Sequence, residues 1–212
     1  MSEPSSVAAS WLKHVPNALT VARLVLVPVF LAMLFTHPAD QGWRLATAAV
    51  FTVAILTDFF DGRLARRYGL ITDFGKLWDP IADKGLTGAA LVALSILGEL
   101  PWWVTILILV REWGITWMRV AMLKYAVMAA AAGGKLKTFL QSIALILFLA
   151  YVPSWPVWAL VVAWVVMGAA FALTMITGVM YVRDALRLRA AARVRATDGP
   201  TAAEATDGAD DG

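Results

Sequence analysis

The chain has 212 residues, of which 60% are hydrophobic and only 16% charged, with a mean hydropathy of +0.72. A soluble globule of this size has too little interior to hide so much apolar surface, so disordered, fibrous and disulfide-stapled classes are excluded and a polytopic membrane protein remains. The formal charge of +3 conceals an acidic end: residues 198–212 carry five acids and no Lys or Arg, and without them 18 basic residues face 10 acidic ones, a net of +8.

Six apolar stretches of membrane-spanning length follow in order. They cover residues 18–35 (interrupted by Arg23), 45–60, a third beginning within 74–84 and ending at 97, 102–123, 136–152 and 157–181. The expected fold is therefore all-α, a six-helix transmembrane bundle over 16–182. Residues 1–15 form a short N-terminal interfacial segment around Trp11, and 183–212 form a tail, basic then acidic and largely disordered. Between spans, 36–43 and 98–101 contain turn formers, and Pro153-Ser-Trp-Pro156 cannot continue a helix. Trp102, Trp103, Trp155 and Trp158 fall where an interfacial aromatic belt belongs. No internal repeat is visible.

Basic residues orient the bundle. The loops at 36–44, 98–101 and 153–156 contain Arg44 as their single Lys or Arg. The opposite loops and the C-terminal end hold Arg63, Arg66, Arg67, Lys76, Lys124, Lys135, Lys137, Arg183, Arg187, Arg189, Arg193 and Arg195. The positive-inside rule then places both termini in the cytoplasm. Residues 1–17 are too polar for a signal peptide, and the first span reads as uncleaved.

Asp58, Asp61, Asp79 and Asp83 stand at the cytoplasmic ends of the second and third spans. Their spacings, i,i+3 and i,i+4, put each pair on one helix face. Asp is too short to snorkel, so acids at this depth are functional candidates. If the two faces meet, four carboxylates converge, and they require a cation to stay ionised. With no Cys and only His14 and His37 in the chain, that cation is one held by oxygen: Mg²⁺, Mn²⁺ or Ca²⁺. Gly62, Ala65 and Gly75 clear space beside the acids, and Arg66 can offer a bidentate fork to a phosphate. Acids, basic residues and glycines together describe a phosphate-ester or pyrophosphate site. Arg67, Lys76 and Lys124 read instead as snorkelling charges, and Arg23 is open to either role.

Written out, 58–83 is Asp58-x2-Asp61-Gly62-x2-Ala65-Arg66-x8-Gly75-x3-Asp79-x3-Asp83, which resembles the signature of the CDP-alcohol phosphotransferase family at every specified position. Pro16-Asn17-Ala-Leu-Thr20-Val-Ala-Arg23 is similar to the family's entry into its first helix. Arg111-Glu112-Trp-Gly-Ile-Thr116-Trp-Met-Arg119 and Gly134-Lys135-Leu-Lys137-Thr138 resemble its CDP-diacylglycerol–glycerol-3-phosphate 3-phosphatidyltransferase branch. The resemblance spans roughly 15–182 and implies a six-helix membrane enzyme, usually a homodimer, that displaces CMP from a CDP-linked lipid. It implies that Asp58, Asp61, Asp79 and Asp83 hold two Mg²⁺ ions, with Mn²⁺ the alternative, and that Asp83 is also the general base. It further implies that Asn17, Thr20, Gly62, Arg66 and Thr72 contact the CDP-diacylglycerol head. The setting it implies is a bacterial cytoplasmic membrane, with the active site on the cytoplasmic side and no nucleic-acid partner.

Arg111 and Arg119, about two helical turns apart, can share a face within an otherwise apolar run. Lys135 and Lys137 follow Gly133-Gly134 at an expected helix N-terminus, where anions are favoured. Such a cluster suits the phosphate of an acceptor, glycerol 3-phosphate on the resemblance; Lys135 and Lys137 have the simpler alternative of enforcing topology. Glu112 is expected to pair with a neighbouring Arg. Inositol phosphate would satisfy the basic cluster equally well, and phosphatidylglycerol less well. A metal- or proton-coupled transporter is the reading from another class; placement of all four acids toward one side and the absence of inverted repeats weigh against it.

Overall fold

The computed structural model describes residues 21–22, 24–68, 73–122, 133–151 and 155–197. Among them the chain is all-α, with six helices and no strand: α1 (Leu24–Thr36), α2 (Gln41–Tyr68), α3 (Asp73–Ile96), α4 (Trp102–Met122), α5 (Gly133–Ala150) and α6 (Val157–Thr197). Helix α5 is central, packing on α2, α3 and α6, and α4 lies against α3 and α6.

Local chemistry sets the ends. Asp40 caps α2: its Oδ1 accepts the Trp43 N–H at 2.8 Å, satisfying one of the donors a helix start leaves open. That cap starts α2 at Gln41 rather than at 45, so Arg44, expected in an outer loop, is a helix residue. At the end of α3, Gly98 adopts φ 75°, and the Glu99 and Leu100 N–H groups both return to the Leu94 carbonyl at 2.9 and 3.2 Å. A residue with a side chain is strained in that left-handed conformation, so glycine closes the helix. Pro101 then leads directly into α4.

Two further expectations are corrected. Helix α2 continues past 60 to Tyr68, carrying Asp58 and Asp61 inside it rather than at its end. Helix α6 runs on from 181 to Thr197, so 183–197 is helical, not part of a structureless tail. The reason is compositional: 183–197 is Ala, Leu, Arg and Val apart from Asp184 and Thr197, with no helix breaker before Gly199-Pro200, and arginines near a helix C-terminus favour the dipole.

Among the described residues the core is one large apolar cluster, with a smaller second one formed by Ile115, Tyr181 and Ala185. Phe30 meets Phe51 edge-on at 5.6 Å and Phe148 meets Trp164 at 5.2 Å. Leu86, Leu91, Leu94, Ile108 and Leu145 fill the centre. Buried Ala48, Ala54, Ala90, Ala93, Ala144 and Ala163 keep the helices close. The outer surface is also apolar: Val110, Val157 and Val165 are 65%, 75% and 65% exposed. Water would penalise such a surface, whereas lipid does not. Among the described residues, Val157–Ala190 is the one segment long and apolar enough to cross a membrane by length and composition; Leu24–Thr36, Lys84–Ile96 and Leu136–Ala150 are shorter apolar helices.

Candidate active site

The four aspartates belong to helical backbone. Asp58 and Asp61 lie in the C-terminal half of α2, and Asp79 and Asp83 in the first half of α3. Both expected spacings are thus realised on helices, so each pair shares a face. The side chains of Asp58, Asp61, Gly62, Arg66, Asp79, Asp83, Arg119 and Lys135 lie outside the described residues, as do Asn17, Thr20 and Thr72 altogether. Among the described side chains no three of His, Cys, Asp or Glu gather. As a donor set, four carboxylates paired along two helices fit a hard, oxygen-seeking divalent cation.

Immediately after Asp83 the structure shows a network of charged groups between four helices. Lys84 of α3 donates through Nζ to the Glu112 backbone carbonyl of α4 at 3.3 Å and to Thr116 Oγ1; its ammonium also lies 5.9 Å from the Trp113 ring centroid. These bonds fix α3 against α4 one residue from Asp83. On α4, Glu112 Oε1 accepts from Arg111 Nη1 at 2.9 Å and from Lys137 Nζ of α5. Arg111 Nη2 donates to Thr177 Oγ1 of α6 at 2.7 Å, and its guanidinium stands 6.0 Å from the Tyr181 ring.

This is an expensive arrangement to bury. The side chains of Arg111, Glu112 and Lys137 are 11%, 16% and 6% exposed, and charges so placed are tolerated only when paired and hydrogen-bonded. Among the described residues, Arg111 Nε is the buried side-chain nitrogen or oxygen that lacks a hydrogen-bond partner. A buried guanidinium with one unpartnered N–H, close to the ammonium of Lys137, has the chemistry to take a phosphate oxygen.

Of the expected acceptor residues, Arg111 and Lys137 are brought together through Glu112. The expected pairing of Glu112 with an arginine is present, and its second partner, on another helix, was not anticipated. Lys84, Thr177 and Tyr181 were also missed. Thr116 lay inside a stretch already singled out; Thr177 and Tyr181 sit in an apolar run with nothing in their spacing to mark them.

Gly178 belongs to the same machinery. A Cβ there would meet Arg111 Cγ at 3.1 Å and Nε at 3.3 Å, so the guanidinium stem lies directly across the glycine of α6. Its two ends are already held by Glu112 and Thr177, which leaves little freedom to yield. If Arg111 has the acceptor-binding role expected from the sequence, Gly178→Ala raises the acceptor KM roughly threefold to tenfold, since small displacements of a charge-assisted contact cost that much. The CDP-lipid KM stays unchanged; steady-state kinetics varying each substrate in turn checks both.

Comparison with known proteins covers most of the chain. Residues 13–199 match the family described as CDP-alcohol phosphatidyltransferase. A Mycobacterium tuberculosis protein named "Probable phosphatidylglycerophosphate synthase" is 53% identical over 175 residues, covering 82% of either chain. A Rickettsia typhi protein named CDP-diacylglycerol–glycerol-3-phosphate 3-phosphatidyltransferase is 39% identical over 176 residues, covering 80% of this chain and 96% of its own. A Bacillus subtilis protein of the same name is 38% identical over 143 residues, covering 62% of this chain and 74% of its own. With the aspartates on α2 and α3, a match of this extent makes the chain a member of the CDP-alcohol phosphatidyltransferase family.

Proposed function

We propose that the protein transfers the phosphatidyl group of CDP-diacylglycerol to glycerol 3-phosphate, giving phosphatidylglycerophosphate and CMP. The observation that carries a phosphate-bearing acceptor is the buried convergence of Arg111 and Lys137 on Glu112 next to the α3–α4 contact, a site suited to a phosphate dianion. The names of the relatives from Mycobacterium tuberculosis and Rickettsia typhi support the same reaction.

In this reading Asp58, Asp61, Asp79 and Asp83 hold two Mg²⁺ ions, and Asn17, Thr20, Gly62, Arg66 and Thr72 bind the CDP-diacylglycerol head. Bound Mg²⁺ supplies charge neutralisation of the pyrophosphate and of departing CMP. Arg111, Arg119, Lys135 and Lys137 hold the acceptor phosphate, which orients its free hydroxyl toward the lipid-side phosphorus. Asp83 takes the hydroxyl proton as the new P–O bond forms and the P–O bond to CMP breaks. No covalent enzyme intermediate is required.

The apolar outer surface supports a bundle whose six helices span the membrane, with the acids and cations at the cytoplasmic face and both termini in the cytoplasm. Helix α6, at 41 residues, is about 60 Å long, twice the hydrocarbon thickness, so its arginine-rich end emerges into the cytoplasm. We place the protein in a bacterial cytoplasmic membrane as a homodimer.

The test is direct. Purified protein receives CDP-diacylglycerol, Mg²⁺ and one acceptor at a time, and CMP release is followed. Release dependent on glycerol 3-phosphate and on Mg²⁺ is expected. No acceptor-dependent CMP overturns the enzyme assignment, and faster turnover with inositol phosphate or phosphatidylglycerol overturns the acceptor.

A further inference from the structure

We propose that Glu112 is an internal anion standing where the acceptor's phosphate binds, and that the acceptor enters by exchanging with its carboxylate. This deepens, and rests on, the assignment of Arg111 and Lys137 to the acceptor.

Three observations carry it. A single oxygen, Oε1, takes hydrogen bonds from both Arg111 Nη1 and Lys137 Nζ. Two cations delivered by different helices therefore converge on one anionic atom, the requirement of a phosphate oxygen. Next, the cavity between these helices is lined by Lys84, Thr87, Glu112, Lys137, Thr138 and Gln141 and has room of about 20 Å³, enough for one water and too little for a phosphate ester. A lining group must leave before an acceptor can enter. Finally, five of the six lining side chains carry a hydrogen-bond donor and Glu112 alone is an anion. It is the group whose departure both opens space and removes repulsion toward a phosphate.

The consequence is a competition between a tethered monoanion and a diffusing dianion. While the site is empty, the carboxylate holds Arg111 and Lys137 in position and offsets their burial. A phosphate dianion brings more charge and more acceptor oxygens, so it can displace the carboxylate; a weaker anion cannot. Glu112 thereby trades acceptor affinity for an ordered empty site and for selectivity toward doubly charged phosphates.

Full-length wild type, Glu112→Gln and Lys137→Gln are assayed with CDP-diacylglycerol. The readouts are the KM for glycerol 3-phosphate, the inhibition constant of inorganic phosphate and the KM for CDP-diacylglycerol. Glu112→Gln is expected to lower the first two by roughly tenfold, the worth of one charge-assisted hydrogen bond, leaving the third unchanged. An unchanged or raised KM for glycerol 3-phosphate overturns the exchange and makes Glu112 a fixed support. Lys137→Gln separates the two levels of argument: it raises the glycerol 3-phosphate KM if the acceptor site is correctly placed, and no effect there overturns the site itself. Should Glu112→Gln fail to fold, Glu112→Asp, which shortens the reach toward Lys137, is expected to lower the same two constants by a smaller factor. Unchanged constants in that variant overturn the proposal equally.

Discussion

Asp83→Asn is expected to abolish turnover while leaving CDP-diacylglycerol binding largely intact. Asn keeps the size and helical setting of the residue but cannot take up a proton, and loss of a positioned general base costs about 10²–10⁴ in rate. Weakening of the metal set adds to that loss. Two features of the structure make the position apt. Asp83 lies within α3, so its backbone is held by helical hydrogen bonds rather than by a loop. The next residue, Lys84, ties that turn to the Glu112 carbonyl and Thr116 of α4, the helix that carries Arg111. On the proposed roles, the base and the acceptor-binding Arg111 are therefore set by one helix–helix contact. Acceptor-dependent CMP release and direct binding of a short-chain CDP-diacylglycerol check the two halves of the expectation. Turnover within tenfold of wild type would remove Asp83 from the role of base, and an unfolded variant would make it a structural residue.

Parts of this were legible in the sequence for definite physical reasons. Helix α4 starts at Trp102 as expected, because Gly98 closes the turn after α3 and Pro101 marks the entry. Arg111 stood out because a charge within an apolar run is costly and demands a purpose, and Lys137 because it follows Gly133-Gly134 at an expected helix N-terminus, where anions are favoured. The errors share a cause too. Hydropathy reports the length of chain that prefers lipid, whereas a helix ends where its hydrogen bonding ends. Helices α2 and α6 therefore outlast their apolar windows by several residues, and α5 begins at Gly133 rather than at 136.

The contacts that build the candidate site were harder to read. The pairing of Glu112 with Lys137 joins residues 25 apart on different helices, and no periodicity along one helix determines which face its neighbour presents. Gly178 is meaningful only once Arg111 is seen lying across it. A glycine in an apolar run otherwise reads as ordinary close packing. The acid signature was visible because its residues are close in sequence; the acceptor side was half visible because its residues are not.

Arg44→Met is expected to destabilise the fold by about 3 kcal/mol, at the lower end of what breaking a buried ion pair costs because Glu99 is partly solvated. Arg44 has no exposed surface, while the Glu99 side chain is 25% exposed. The guanidinium makes two bonds to Glu99, at 2.7 and 2.6 Å, and donates to the Leu149 and Phe148 carbonyls at 2.8 and 2.6 Å. Those carbonyls belong to the last turn of α5, where the helical ladder runs out; the Phe148 carbonyl also receives the Tyr151 N–H at 3.3 Å. One side chain thus joins the start of α2, the turn after α3 and the end of α5. For a chain of this size the loss amounts to roughly 6–12 °C in the unfolding midpoint, measurable by circular dichroism in detergent. Arg44→Lys is expected to fall between, since an ammonium cannot reproduce a two-pronged bond and two carbonyl contacts at once. Glu99→Gln also destabilises, by leaving a fully buried cation without its counter-charge. The double variant Arg44→Met/Glu99→Met is expected to lose less than the two single losses combined, by about 2 kcal/mol; strict additivity would show that the carbonyl contacts, not the ion pair, hold this end of the bundle. The pair lies about 20 Å along α2 from Asp58 and about 16 Å along α5 from Lys137, at 1.5 Å per residue. Below their unfolding temperatures the variants should therefore keep the KM of both substrates, which separates an anchor of the fold from a part of the site.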